Sequence, residues 1–338
     1  MKSTLFDQLK SADVLPSDLS KQDFQKLDST FPVVISKYIL DLIIRTKDSA
    51  LIKQFVPDIS ELDCGNGVGA FFNDDKSLDN YLIQKYPNRC IIYATSNCFA
   101  NCRYCTRKEK WNDRKSFKKT EFDKSISTLR SSPHIEEVII TGGDPLTLSL
   151  SNLEYILSSL KKIKSIKVIR LATRAFTSNP SIINDALVDV LRKNTPTVIC
   201  TQFNCESELS EECVVSLERV QLLGIPVLNQ SVLLAGVNDT YEKMKALLTK
   251  LVENRVIPYH LFHAFKTRGT EHLRTSVETG EIIVNQLVGN VGGWWRPKYI
   301  IVPHETGVKI PLCPNGLVNR SENSITVKDF HGRQVKYE

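Results

Sequence analysis

Ile91-Ile92-Tyr93-Ala94-Thr95 leads, two residues on, into Cys98-Phe99-Ala100-Asn101-Cys102-Arg103-Tyr104-Cys105. A short apolar run feeding a cysteine-lined loop reads as a strand and the turn that leaves it. The C-x3-C-x2-C spacing gathers three thiolates closely enough to hold three irons of a [4Fe–4S] cluster, for which thiolate is the usual ligand. No fourth cysteine stands at a matching spacing, so one iron is left open to a ligand that is not protein. A zinc site would show two separated C-x2-C or histidine-containing pairs, and neither occurs. Cys98, Cys102 and Cys105 are the predicted metal ligands. A non-catalytic metal-binding scaffold is the alternative on these residues alone.

Outward from that loop the pattern is regular. β-rich runs at 90–95, 136–141, 166–172, 197–203, 225–233 and 256–263 alternate with helical stretches at about 119–131, 151–163, 182–193, 209–223, 240–253 and 277–289. Strands alternating with helices predict parallel βαβ units. Residues 1–57 read as short amphipathic helices, with Phe24, Leu27, Phe31, Ile35, Ile39, Leu42 and Ile43 at helical spacing. Beyond 290 the pattern turns to extended runs, and Ser324–Glu338 reads as a β-hairpin about Gly332. The predicted organisation is an N-terminal helical region (1–84), a core (85–290) and a C-terminal β segment (291–338).

Composition excludes several classes. The 338 residues are 41% hydrophobic and 24% charged, ordinary for a globular protein, and no apolar run approaches a membrane span. The start of the chain lacks a signal-peptide core, and nine cysteines without regular pairing fit a reducing compartment, so a cytoplasmic protein is predicted. The net charge of +6 is spread along the chain without basic patches interleaved with aromatics, so no nucleic-acid partner is expected. Cys64, Cys90, Cys200, Cys205, Cys213 and Cys313 read as ordinary small residues.

The cysteine loop resembles the signature of the radical S-adenosylmethionine (SAM) superfamily. That resemblance implies a partial (β/α)6 barrel, with SAM chelating the open iron and an electron from the cluster cleaving it to a radical. Thr141-Gly142-Gly143-Asp144-Pro145, after the second strand, resembles the family's SAM-binding motif, although a lone Gly-Gly-Asp is an ordinary turn. Gln230 on the fifth strand and Tyr104 are implied SAM contacts.

More specifically, residues 80–338 resemble the lysine 2,3-aminomutase family. The matching stretches include Tyr86-Pro87-Asn88-Arg89, Cys102-Arg103-Tyr104-Cys105-Thr106-Arg107, Asn229-Gln230-Ser231, Gly236-Val237-Asn238-Asp239 and Gly269-Thr270-Glu271-His272-Leu273-Arg274. The resemblance implies an isomerase that uses pyridoxal 5′-phosphate (PLP) beside SAM to move an α-amino group to the β-carbon. Lys309 would bind PLP covalently, and Lys85, Tyr86 and Arg89 would hold its phosphate and ring. Arg107 would clamp the substrate carboxylate. A flavodoxin or ferredoxin would supply electrons, and a homodimer is possible. Where the family holds the ammonium of lysine with aspartates, this chain has Phe265 and Ile301. The expected substrate is therefore a small amino acid other than free lysine, with an apolar or neutral side chain. An acidic side chain reaching Lys266, Arg268 or His263, or a guanidinium paired with Glu305, are alternatives. So are lysine itself, a lysine of an elongation factor, and a radical SAM reaction without PLP.

Overall fold

The computed structural model describes residues 4–63, 77–113, 116–304, 306–312, 317–320, 324–329 and 331–337; Cys64, Cys313 and Glu305 lie outside them. Four helices open the chain: α1 (Leu5–Ser11), α2 (Lys21–Thr30), α3 (Lys37–Thr46) and α4 (Ser49–Phe55). Each starts where a short polar side chain caps it, namely Thr4, Ser20, Ser36 and Asp48, whose oxygens accept first-turn N–H groups. Their apolar stripes, such as Ile39, Leu40, Leu42 and Ile43 of α3, are buried.

The main sheet, among the described residues, has nine strands in sequence order, so every connection joins neighbours. They are β1 (Leu82–Tyr86), β2 (Arg89–Thr95), β3 (Glu137–Gly142), β4 (Val168–Ala172), β5 (Val198–Thr201), β6 (Val227–Leu233), β7 (Val256–His263), β8 (Lys298–Ile301) and β9 (Ile310–Leu312). Strands β2 to β8 are parallel, while β1 and β9 run antiparallel at the two edges. Helices α5 (Lys119–Arg130), α6 (Leu150–Lys161), α7 (Ala175–Ser178), α8 (Asp185–Lys193), α9 (Glu211–Gln221), α10 (Tyr241–Glu253) and α11 (Val277–Leu287) fill the crossovers. Each of the six strands predicted from sequence is present with its helix. The sheet also extends past them: β8 adds a parallel strand beyond residue 290, and β1 straddles residue 84.

One face of each strand packs on the helices. Cys90, Ile92 and Ala94 of β2 join Val138 and Ile140 of β3 and the buried faces of α5 and α6 in one core. The alternate residues, Arg89, Ile91 and Tyr93, therefore point the other way, into the concave side. A second core joins the N-terminal helices to Ala100 and Tyr104 of the cysteine loop, to Phe262 on β7 and to Ala264 just beyond it. The helical preface thus packs directly on the loop. At the C-terminus β10 (Leu317–Arg320), β11 (Ile325–Lys328) and β12 (Gln334–Tyr337) form a small antiparallel sheet whose last two strands are the expected hairpin. No described helix is long and apolar enough to cross a membrane.

Candidate active site

The cysteine loop leaves the C-terminal end of β2, where barrel folds of this kind carry their chemistry. It is pinned from the N-terminal side. Asn101 N donates to Val34 O (2.8 Å), its side-chain amide to Pro32 O (2.9 Å), and Arg103 N to Gln54 O (2.8 Å). The Arg103 guanidinium is fully buried and donates to both carboxylate oxygens of Glu61, with Nε at 2.9 Å from Oε1. Lys108 Nζ lies 2.7 Å from Glu61 and 2.6 Å from Gly269 O. Burial alone would raise the Glu61 carboxyl, but the hydrogen bond and charge of Arg103, helped by Lys108, hold it below the usual carboxylate range.

The three thiols line a cleft of about 250 Å³ together with Gly142, Gly143, Thr173, Arg174, Gln202 and Gln230. Burial, and then the neighbouring thiol of Cys102, push Cys105 up to about 11. Such thiols ionise only when a cation arrives, which is what iron supplies. Among the described residues no three His, Cys, Asp or Glu side chains converge as ligands of a single metal ion do. Thiols standing around a cleft of this size suit a cluster that spans them. Arg174 donates through Nη1 to Cys102 Sγ and through Nη2 to Gln54 Oε1 (2.7 Å) and Glu208. It sets a permanent cation against the thiols.

Gly142 and Gly143 are glycine for a steric reason. A Cβ on Gly143 would lie 2.1 Å from Asn97 O, and one on Gly142, at φ +124°, 2.3 Å from Thr95 O. Their closeness lets Gly143 N donate to Thr95 O (2.6 Å) and Asp144 N to Asn97 O (2.7 Å). Both contacts fix the start of the cysteine loop. Gly143→Ala is expected to displace that loop and cut reconstituted iron several-fold while the helices remain, read by iron analysis beside circular dichroism.

A second cleft, of about 350 Å³, lies on the concave side and shares Gln230 with the first. It forms where the sheet edges meet: the Tyr86 hydroxyl at the end of β1 accepts Lys309 N at 3.0 Å, just before β9. Lys85, Arg89, Arg170 and Lys309 line it, and no carboxylate does so among the described residues. Glu137 stands beside it, paired with Arg170 and 3.7 Å from Arg89. Lys309 Nζ lies 4.9 Å from the centre of the Phe262 ring, and burial, then the charge of Arg170, pull its ammonium down to about 8. Its apolar lining includes Phe262, Phe265 and Val302.

The sequence comparisons agree with this geometry. The radical SAM superfamily profile matches residues 92–248. The L-lysine 2,3-aminomutase of Methanococcus maripaludis is 34% identical over 99% of this chain and 80% of its own length. The chain belongs to the lysine 2,3-aminomutase family. The glutamate 2,3-aminomutase of Clostridioides difficile is 36% identical over 76% of this chain and 61% of its own. Among solved structures, Streptococcus suis SuiB bound to S-adenosylmethionine aligns at a TM-score of 0.49 and 14% identity, over 64% of this chain and about half (51%) of that chain. Family membership makes the protein an isomerase of the aminomutase class, with a [4Fe–4S] cluster, SAM and PLP as the family's cofactors. The residues present fit them. Three thiols around the first cleft, with room beside them lined by Gly142, Gly143 and Gln230, suit the first two, and a cation-lined cleft with a buried, low-pKa lysine suits the third.

The structure brings Cys98, Cys102, Cys105, Gly142, Gly143, Asp144 and Gln230 to one cleft, and Lys85, Tyr86, Arg89, Gln230, Phe265 and Lys309 to the other. Several expectations change in detail. The Asp144 carboxylate is engaged by protein donors: Thr173 Oγ1 (2.8 and 2.9 Å), Leu146 N (3.0 Å) and Arg174 N (2.8 Å). It shapes the turn after β4 instead of facing a cation. Tyr104 is buried, its hydroxyl between Gln202 and Asn204, and it is not among the residues lining either cleft. Arg107 also lies outside both linings, its guanidinium 3.3 Å from the centre of the Tyr93 ring on the concave face of β2. Ile301 does not line the cleft; Val302 does. Ile300 and Val302 share a strand face with the Phe262 side, whereas Tyr299 and Ile301 point to the opposite one.

Sequence reasoning missed Arg170, Arg174, Tyr259, His260, Phe262 and Val302. All lie on parallel strands or immediately after one, which is the signal that could have found them. Of the cysteines read as ordinary small residues, Cys200 lines the cluster cleft and Cys90 the second cleft, and both are buried, as are Cys205 and Cys213.

Proposed function

We propose that this protein is a PLP-dependent radical SAM 2,3-aminomutase whose substrate is an α-amino acid with an uncharged, apolar side chain. The observation that carries this reading is the second cleft. It shares Gln230 with the cluster cleft and combines Lys309 and other cations with the apolar side chains of Phe262, Phe265 and Val302, with no carboxylate in its lining among the described residues. When bound, SAM supplies a primary carbon radical and PLP a covalent handle on the substrate amine.

The chain's own residues then position and exclude. Lys309 is the covalent anchor for PLP, and Lys85, Tyr86 and Arg89 bind its phosphate, for which cations and a hydroxyl are suited donors. Arg107, stacked on Tyr93, takes the substrate carboxylate through its planar fork. Gln230 touches both clefts and sets the distance between them. The aromatic wall keeps water from the reacting carbons. A flavodoxin- or ferredoxin-type protein delivers the electron.

A lysine ammonium against Phe265 and Val302 would meet no carboxylate in the cleft lining among the described residues, and leaving it desolvated and unpaired costs about 3–5 kcal/mol. The acidic alternative has no support at its expected cations. Lys266 and Arg268 are exposed and line neither cleft, and His263 Nδ1 is engaged with the Tyr299 hydroxyl at 3.0 Å. Anaerobic incubation with SAM, PLP, a reductant and single amino acids tests the reading. Mass-neutral conversion of leucine-like or norleucine-like substrates to β-amino acids is expected. Cleavage of SAM with no β-isomer from any amino acid would contradict it.

A further inference from the structure

Strand β7 carries an extra residue in its pairing with β6. Asn229 faces Pro258 and Gln230 faces His260, so Tyr259 is bulged out of register. A bulge turns two successive side chains toward one side of a sheet. Tyr259 and His260 accordingly both line the second cleft, their rings 3.7 Å apart and inclined by 28°. His260 is only 6% exposed. Its Nδ1 is buried with no hydrogen-bond partner among the described residues. A buried ring nitrogen left unpaired is costly, and native structures rarely keep one unless a ligand or water completes it.

The charged groups that act on His260 are Lys309, Lys298 and Arg170, all cations. Burial first, and then these charges, pull its pKa down to about 3, so the imidazole is neutral. The partner is therefore a group that meets a neutral ring nitrogen. If PLP occupies the cleft, its phosphate falls to Lys85 and Arg89 and its aldehyde carbon to Lys309. The 3-hydroxyl is ortho to the aldehyde carbon and so stays on the Lys309 side, which leaves the pyridine nitrogen as the polar ring group without a partner. A carboxylate at that nitrogen would protonate it, and none lines the cleft among the described residues.

We propose that His260 is the hydrogen-bond partner of the PLP pyridine nitrogen, donating from Nδ1 without transferring a proton. This rests on the PLP reading above. An unprotonated pyridine is a weak electron sink. Heterolytic loss of the substrate's α-proton, the route to transamination and racemisation, is thereby disfavoured, and the cleft is reserved for radical chemistry.

The test uses cluster-loaded enzyme and PLP labelled with 15N at the ring, read by PLP titration and by 15N NMR. Wild type is expected to bind PLP with its ring nitrogen at an unprotonated, hydrogen-bonded shift. His260→Phe should weaken PLP about tenfold, one lost hydrogen bond, and move the shift toward that of a free pyridine. His260→Asn should stay within about threefold of wild type, by supplying an amide donor. His260→Asp should move the nitrogen to a pyridinium shift. Iron content and thermal unfolding report whether each variant is folded; if the Phe variant is not, the Asn and Asp pair carries the test. A pyridinium shift in wild type, or unchanged affinity and shift across the variants, would overturn the proposal. So would weaker binding with no change in the shift, which moves the contact to another atom. Failure of wild type to bind PLP at all would remove the PLP reading itself, an outcome separate from these.

Discussion

Cys105→Ala is expected to reduce reconstituted iron and sulfide from about four of each per chain to near zero, and SAM cleavage to background. Two remaining thiolates, from Cys98 and Cys102, cannot hold a cube that needs three protein ligands beside SAM. The fold should survive. The loop is held by backbone contacts, Arg103 N to Gln54 O at 2.8 Å and Asn101 N to Val34 O at 2.8 Å, and by the buried Arg103–Glu61 pair, none of which involves a cysteine sulfur. The result is informative because Cys200 lines the same cleft from β5. If Cys105→Ala keeps a full cluster, Cys200 or another group is a ligand and the three-cysteine assignment is wrong. Circular dichroism and iron analysis on the same sample separate loss of cluster from loss of fold.

Lys309→Ala is expected to abolish covalent PLP, seen as loss of its visible absorption band, and to take isomerisation with it while SAM cleavage without substrate persists. The wild-type pH dependence follows from the lowered pKa. Only the neutral amine attacks a carbonyl. With its ammonium at about 8, about a tenth of Lys309 is neutral at pH 7, against roughly 0.04% for an unperturbed lysine. Capture of PLP by the apo form should therefore accelerate about tenfold per pH unit below 8 and level off above it. Continued acceleration through pH 10 would mean a solvated lysine, and a retained band in Lys309→Ala would mean a different anchor.

Much of this was legible in the sequence where the information is local. The alternation of apolar strands and amphipathic helices placed every strand from β2 to β7, since period and length are properties of contiguous residues. The cysteine spacing and the Gly142–Gly143 pair did the same for the first cleft, because both answer to contacts within one turn. What stayed hidden depends on pairing between distant strands. His260 reaches the second cleft through a bulge that no run of residues announces. Val302 rather than Ile301 lines the second cleft because β8 lies between β7 and β9 in one register, and a one-residue slip exchanges the faces. Arg174 touches Cys102 only because β4 ends beside the cysteine loop. Tyr104, adjacent to a ligand in sequence, is carried away from the cleft into the second core. Strand β1 went unread because Leu82–Tyr86 is short and gains its place by a hairpin onto β2.

The proposed substrate class rests on the apolar lining of the second cleft, and norleucine against lysine probes it most directly, since the two differ chiefly by the terminal ammonium. The ratio of kcat/KM values for conversion to the β-isomer, measured anaerobically with SAM, PLP and reductant, is the deciding quantity. An unpaired ammonium facing Phe265 and Val302 predicts a ratio of at least ~100 in favour of norleucine, the equivalent of about 3 kcal/mol. A ratio below one, with lysine preferred, would contradict the assignment of that wall and of the substrate class built on it.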